Sequence, residues 1–221
     1  MIEAEPVEDE DDETLRNAIA AGILLTIWLY SRDTGRYLKP QTRQPASKRE
    51  LDLILSDRIS DTKNRLDKIS KQYQKAGNVE QWENDAMEII RRSHLESYVL
   101  GRGGLNAIAD DDLERLRQIL NQQAQFLKTF RGELGDLTPL RIENRLRMYA
   151  QSALSSYSAG KDAAMMASGY QLERWTLSNA EHCEDCKRLS ELGKVPIGTL
   201  PAIGTQKCLF NCKCSKAYYK A

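Results

Sequence analysis

The sequence predicts a mainly α fold, a multi-helix elongated body followed by a small C-terminal cysteine-rich module. Three observations carry this. Apolar residues recur at spacings of three and four through most of residues 47–168. Glycine, proline and capping residues interrupt those stripes at helical lengths, and no stretch sustains the two-residue alternation of a half-buried strand. All five cysteines lie between Cys183 and Cys214, with none in the first 182 residues.

At 221 residues the chain can bury one sizeable core or two small ones. It is 41% hydrophobic and 29% charged, a globular composition somewhat rich in charge. The formal net charge of zero hides an asymmetry. Residues 1–13 hold eight acids and no base, leaving 24 acids against 32 bases, so residues 14–221 carry +8. A block of like charge resists collapse, which predicts an acidic disordered tail over residues 1–13. Such a segment can also shield a basic surface on its own or a neighbouring chain. Ala18–Tyr30 (AIAAGILLTIWLY) is apolar but only 13 residues long. A bilayer crossing takes about 20, and the acidic residues before it do not suit a secretory signal. The reading is a buried or partner-packed helix, with no membrane span. Without export the thiols face a reducing cytosol, where clustered cysteines bind metal more often than they pair.

A loop follows over Ser31 to Ala46, containing Gly35, Pro40 and Pro45. Ser47 and Glu50 then form a capping box, each side chain satisfying a backbone N–H that the helix start leaves open. Leu51, Leu55, Ile59, Thr62, Leu66, Ile69 and Tyr73 make one stripe. Gly77 suits its end and Asn78 a new start. Trp82, Met87, Ile90, His94 and Tyr98 mark the next helix, with His94 a core or surface residue rather than a catalyst. The glycines of LGRGGLN (Leu100–Asn106) break it, and the lack of a preceding strand and of a Gly-Lys-Ser/Thr ending makes them a turn, not a phosphate loop. Asp110–Asp112 offer a cap and favourable charge to a helix carrying Leu113, Leu116, Leu120, Gln123, Leu127 and Phe130. Thr138 caps the last helix, Pro139 occupies its first position, and it runs to about Ser168 before Gly169. The organisation is therefore an acidic tail over 1–13, a helical body over 14–170, and a cysteine-rich module over 171–221.

The module reads Cys183-x2-Cys186, 21 residues, then Cys208-x3-Cys212-x-Cys214. A Cys-x2-Cys turn brings two sulfurs to one point, and a second sulfur-bearing turn can complete a tetrahedron around zinc. Zn2+ suits a segment too short to build its own core. The intervening residues hold Gly193, Pro196, Gly198, Pro201 and Gly204, a loop composition that needs such a staple. Lys187, Arg188, Lys194, Lys207, Lys213, Lys216 and Lys220 can offset the −2 charge of a zinc tetrathiolate. Disulfides and free or redox-active thiols are the alternatives. Cys183 and Cys186 are the firmest ligand pair, completed by two of Cys208, Cys212 and Cys214, with Cys208 taken as the spare. His182 reads as a neighbour of the site or an exposed residue rather than a ligand.

The stretch WTLSNAEHCEDCKRL (Trp175–Leu189), followed by LPAIG and CLFNCKC, resembles the C-terminal signature of the Mu F-like phage head morphogenesis (minor head protein) family. TGRYL (Thr34–Leu38), QWENDAMEIIRRSH (Gln81–His94), GRGG, QFLKTF and RLRMYAQSA (Arg145–Ala153) are similar to upstream features of that family. Many members close with His-Pro-Asn-Cys-Arg-Cys, and Cys208 lies near the place of that His. The resemblance implies a minor capsid protein of a tailed phage or prophage acting in capsid assembly near the portal. Its expected partners are the portal protein, the major capsid protein or both, with contact to packaged DNA and self-association as further expectations. It would reside in the virion, and in host cytoplasm during assembly. The alternative is a DNA-binding module, favoured by the +8 body, the basic module and the stacking capacity of Tyr218 and Tyr219. No HExxH, GxSxG or Cys–His pair with an orienting third group is present, so no enzyme activity is expected.

Overall fold

The computed structural model describes residues 29–31, 36–38, 42, 44–208 and 212–220. The predicted acidic tail, and the apolar run as far as Trp28, lie outside the described residues. Four long helices form the body: α1 (Lys48–Ala76), α2 (Val79–Arg102), α3 (Asp110–Glu133) and α4 (Pro139–Ala167). The fold is mainly helical, as the stripes predict. The end of the apolar run departs from expectation. Leu29–Ser31 (β1) pairs antiparallel with Arg36–Leu38 (β2), Leu29 opposite Leu38, so Leu29 and Tyr30 are extended rather than helical. The intervening RDTG has turn composition, and two three-residue strands are too short to leave a readable period.

Helix boundaries follow local chemistry. Ser47 Oγ accepts from the Glu50 N–H at 3.2 Å while Glu50 returns a carboxylate to the Ser47 N–H at 2.8 Å, and Gly77 closes α1 at φ +72°. Asn78 Oδ1 caps α2 through the Gln81 N–H at 3.0 Å. The α2 helix continues through Gly101 and ends only at Arg102, because the left-handed conformation falls on Gly103 (φ +109°) and Gly104 (φ +104°). The aspartate cap of α3 works differently from the simple form predicted. Ala109 is the cap position, and Asp112 reaches back to its N–H at 2.8 Å. The same carboxylate accepts from Tyr98 Oη (2.7 Å) and Arg102 Nε (2.9 Å), tying the start of α3 to the end of α2. Burial and the Asp112 hydrogen bond together hold the Tyr98 hydroxyl protonated.

The predicted stripes become the core. In α3 the buried residues are Asp112 plus the six expected, Leu113, Leu116, Leu120, Gln123, Leu127 and Phe130. One cluster gathers Leu66 of α1, Trp82 and Ile90 of α2, Phe130 of α3, and Leu146 and Tyr149 of α4. Trp82 meets Phe130 edge-on at 5.7 Å and donates its indole N–H to Ser70 Oγ at 3.0 Å, so its one polar atom is satisfied. Burying side chains of this size contributes about 1.5–3 kcal/mol each. The α2 helix is the hub, since it packs on α1, α3 and, most extensively, α4.

Two glycines make the α2–α4 contact. A Cβ on Gly160 would lie 2.2 Å from the Tyr98 carbonyl oxygen, and one on Gly101 would lie 2.1 Å from that of Tyr157. The two backbones therefore touch directly. His94, fully buried in α2, bridges to α4 a few turns away. Its Nε2–H donates to Ser152 Oγ (3.0 Å), whose own proton goes to the Tyr149 carbonyl (2.6 Å), and Ser156 Oγ donates to Nδ1 (2.7 Å). Burial without a countercharge lowers the imidazole to about 4, so it is neutral at pH 7.

Two outcomes follow from this packing. Gly160→Ala should destabilise the fold by about 3 kcal/mol, since the clash is with backbone rather than a side chain that can move. Gly132→Ala, with nothing within 4 Å of the added Cβ, should be neutral or stabilise by up to about 1 kcal/mol. Urea unfolding of both variants checks the contrast. The second outcome concerns pH. His94 titrates near 6.5 when unfolded and near 4 when folded. Between those values the unfolded chain binds a proton that the native chain does not. Stability from this group is thus complete above about pH 6.5 and falls by up to about 3 kcal/mol on acidification toward 4. Urea midpoints measured across that window should drop in the wild type and flatten in His94→Gln.

Candidate metal centre

Beyond α4 the chain turns at Gly169 (φ +80°) and enters β3 (Leu172–Thr176), the centre of a three-stranded antiparallel sheet. β4 (Lys194–Pro196) and β5 (Ser215–Tyr219) flank it, with Arg174 opposite both Lys194 and Ala217. Between β3 and β4 lies α5 (Glu184–Glu191), an eight-residue helix that contains the second cysteine of the Cys-x2-Cys turn. Cys183 is its N-cap residue and Cys186 points inward from its first turn, fully buried. The Cys-x2-Cys spacing is thus realised as a helix start, which places two sulfurs on one side of one turn.

The structure brings all five predicted cysteines together. Cys183, Cys186 and Cys208 form one triad and Cys186, Cys212 and Cys214 another, with the sulfurs of each triad within 4.8 Å of one another. Cys186 belongs to both. Its Sγ lies 3.6 Å from that of Cys208 and 3.8 Å from that of Cys212. A zinc ion holding thiolates at about 2.3 Å sets tetrahedral S···S edges of about 3.8 Å. All five thiols are free, and none is paired as a disulfide. Trp175, Leu200 and the half-buried Leu177, Leu189, Val195 and Ile203 pack around the sulfurs, so a small apolar shell encloses them.

The electrostatics match a site prepared for a cation. The Cys183 thiol is held down to about 7, first by the Cys186 backbone N–H at the helix start. Burial pushes Cys208 up to about 12 and raises Cys186 and Cys214 as well. Crowded thiols in an apolar shell keep their protons, and a bound cation would reverse that balance. Burial is the largest influence on Cys214, and the buried Trp175 indole N–H acts against it in favour of the thiolate. The donor set and its spacing fit a metal ion.

His182 is a neighbour of the site, the first of the two roles the sequence suggests. Its Nδ1 is 3.5 Å from Cys214 Sγ and its Nε2 is 2.8 Å from the Ser178 carbonyl. Bonding at the carbonyl puts the proton on Nε2 and leaves Nδ1 an acceptor for the thiol. The predicted basic counterweight is only partly available. Lys187 pairs with Glu184 at 2.7 Å and Arg188 with Asp185 at 3.6 Å.

Lys216 is engaged elsewhere, in a cluster sequence reading missed. It is buried on β5, with Nζ 2.7 Å from Asp162 of α4, 3.0 Å from Glu173 of β3 and 3.1 Å from the Leu200 carbonyl. Tyr218 Oη donates to the other oxygen of Asp162 at 2.7 Å, and Glu173 Oε1 accepts from the N–H groups of Gly198 (3.0 Å) and Leu200 (2.7 Å). This cluster, with the Ile203 N–H donating to Ser158 at 3.2 Å, fastens the module to α4. The available signal was the alternation of LERWT against SKAYY, too short to read before the register was known.

Comparison with known proteins adds no assignment: no protein-family model, curated protein or solved structure matches this chain. No described helix is long and apolar enough to cross a membrane.

Lys216→Met should remove the one cation between two buried carboxylates and cost about 3–5 kcal/mol of module stability. Amide exchange should rise across β3, β5 and the 196–206 loop while α1–α3 stay protected. Unchanged exchange in the module would show that the cluster does not hold it.

Proposed function

We propose that this chain is a structural minor head protein of a tailed phage or prophage, acting in capsid assembly near the portal, whose C-terminal module is folded by one zinc ion. The observation that carries the proposal is the convergence of all five cysteines, because they lie where the resemblance to minor head proteins is most specific. A rigid helical body ending in a small stapled module suits a protein that works by presenting surfaces. The His94–Ser152–Ser156 network is consistent with this reading, since its imidazole is fully buried and its hydroxyls are spent on structural bonds. Its expected partners are the portal and major capsid proteins.

Zinc is the metal of choice because thiolates are soft ligands and a closed, four-coordinate sulfur site asks for no redox change. Cys183, Cys186, Cys208 and Cys212 form the proposed ligand set. The 3.6 Å and 3.8 Å separations place Cys208 and Cys212 each at the tetrahedral distance from Cys186. Cys214 has its own partner in His182 at 3.5 Å, so Cys214 replaces Cys208 as the spare thiol. Binding then orders a module with too small an apolar core of its own, with structural zinc worth on the order of 10 kcal/mol before ordering costs.

Elemental analysis under reducing conditions should find one zinc per chain. It should be lost in Cys183→Ser, Cys186→Ser and Cys208→Ser and kept in Cys214→Ser. The helical signal should survive in all four. A metal-free wild type with a protease-resistant module would overturn the zinc reading. For the assembly role, the purified chain should capture portal or major capsid protein in a pull-down. Capture of neither, and heads that form normally without the chain, would overturn that role.

A further inference from the structure

The three-stranded sheet of the module has two unlike faces. Glu173, Trp175, Lys216 and Tyr218 point inward, to the clasp and the apolar shell. The opposite row contains Arg174, Thr176, Lys194, Ser215, Ala217 and Tyr219 and holds no carboxylate. Arg174 and Lys194 face each other in register, both exposed and neither paired with a carboxylate among the described residues. Like charges directly opposite one another weaken a sheet, so this pair is not there for stability. Lys194 Nζ stands 4.1 Å above the Tyr219 ring. Lys213, exposed two residues before β5, has the same alternation as Ser215 and Ala217. A cation–π contact holds the Lys194 ammonium group in place on this face.

We propose that this face binds the sugar-phosphate backbone of duplex DNA, through Arg174, Lys194 and Lys213. Charge complementarity selects a polyanion, since three exposed cations lie along rows that hold no carboxylate. The aromatic ring selects the backbone over splayed bases. Tyr219 is covered by Lys194, whereas a single-strand platform bares its rings for stacking. The inference does not depend on the head-protein reading, because it stands on the face alone and is read by DNA binding rather than by assembly.

The test uses the full zinc-loaded chain and a fluorescent 30-base-pair duplex of arbitrary sequence, with anisotropy followed from 50 to 200 mM salt. Binding should weaken steeply with salt. The combined Arg174→Gln, Lys194→Gln, Lys213→Gln variant should lose more than tenfold in affinity at 50 mM. Its logarithmic salt slope should become shallower by about 2–3, close to 0.9 for each phosphate contact removed. Lys187→Gln with Arg188→Gln, on the exposed side of α5, should leave both affinity and slope within twofold. Zinc content and helical signal of the variants verify that the module remains folded. An equal loss in that control pair would reduce the effect to net charge and overturn the site. So would absence of duplex binding at 50 mM, including the case in which the face binds a peptide of residues 1–13 instead. Tighter binding of a single-stranded 30-mer that depends on Tyr219 would overturn the choice of duplex backbone.

Discussion

The architecture depends on one close approach, the contact of α2 with α4 through Gly101 and Gly160. Added Cβ atoms there would lie 2.1 Å and 2.2 Å from the opposing carbonyl oxygens, so no other residue fits without separating the helices. Everything near the crossing is set by that separation. It lets His94 reach Ser152 and Ser156, and it leaves Tyr98 free to meet Asp112 at the start of α3. The α2 helix is buried on most of its circumference as a result, which a single amphipathic stripe would not predict.

The C-terminal half of α4, fixed by that crossing, is also the platform for the module. Asp162 lies two residues beyond Gly160 and receives both Lys216 and Tyr218 of β5. Ser158, two residues before it, accepts from Ile203. A buried lysine between two carboxylates is costly to desolvate, and it is tolerable here because each charge has further hydrogen bonds. Glu173 takes two backbone N–H groups, and Lys216 adds the Leu200 carbonyl. The loop between β4 and β5 is thereby pinned from below by ions and from above by the apolar shell around the sulfurs.

The two fastenings act on the same strand. Cys212, one of the proposed ligands, lies three positions before β5, and Lys216 is the second residue of that strand. An ion at the proposed thiolate site would fix the approach to the strand, and the clasp its register against α4. Metal binding at Cys212 would then be coupled to docking of the module through the short run of chain from Cys212 to Lys216. Such coupling would let a module with little core of its own present an ordered outer face.

The sequence by itself determined the helical body and the gathering of thiols at the end that could hold a metal. Capping chemistry acts over three or four residues and hydrophobic periodicity over two turns, so Ser47–Glu50, Gly77, Asn78, Thr138 and the whole buried stripe of α3 were legible without coordinates. The clustering of five thiols was equally plain, because it is a matter of spacing. Tertiary structure alone decided the rest. The strands β1–β5 are three to five residues long, below the length at which alternation is readable. Gly160 stood unremarked inside a helical pattern because its function is to meet a carbonyl 62 positions earlier. Lys216 counted in the sequence as one of the bases able to offset a zinc tetrathiolate. Only the register of β5 against β3 turned it inward, where Asp162, 54 positions away, made a buried ion pair of it. Local interactions are written in neighbouring residues, whereas a contact between distant residues exists only once the chain has closed on itself.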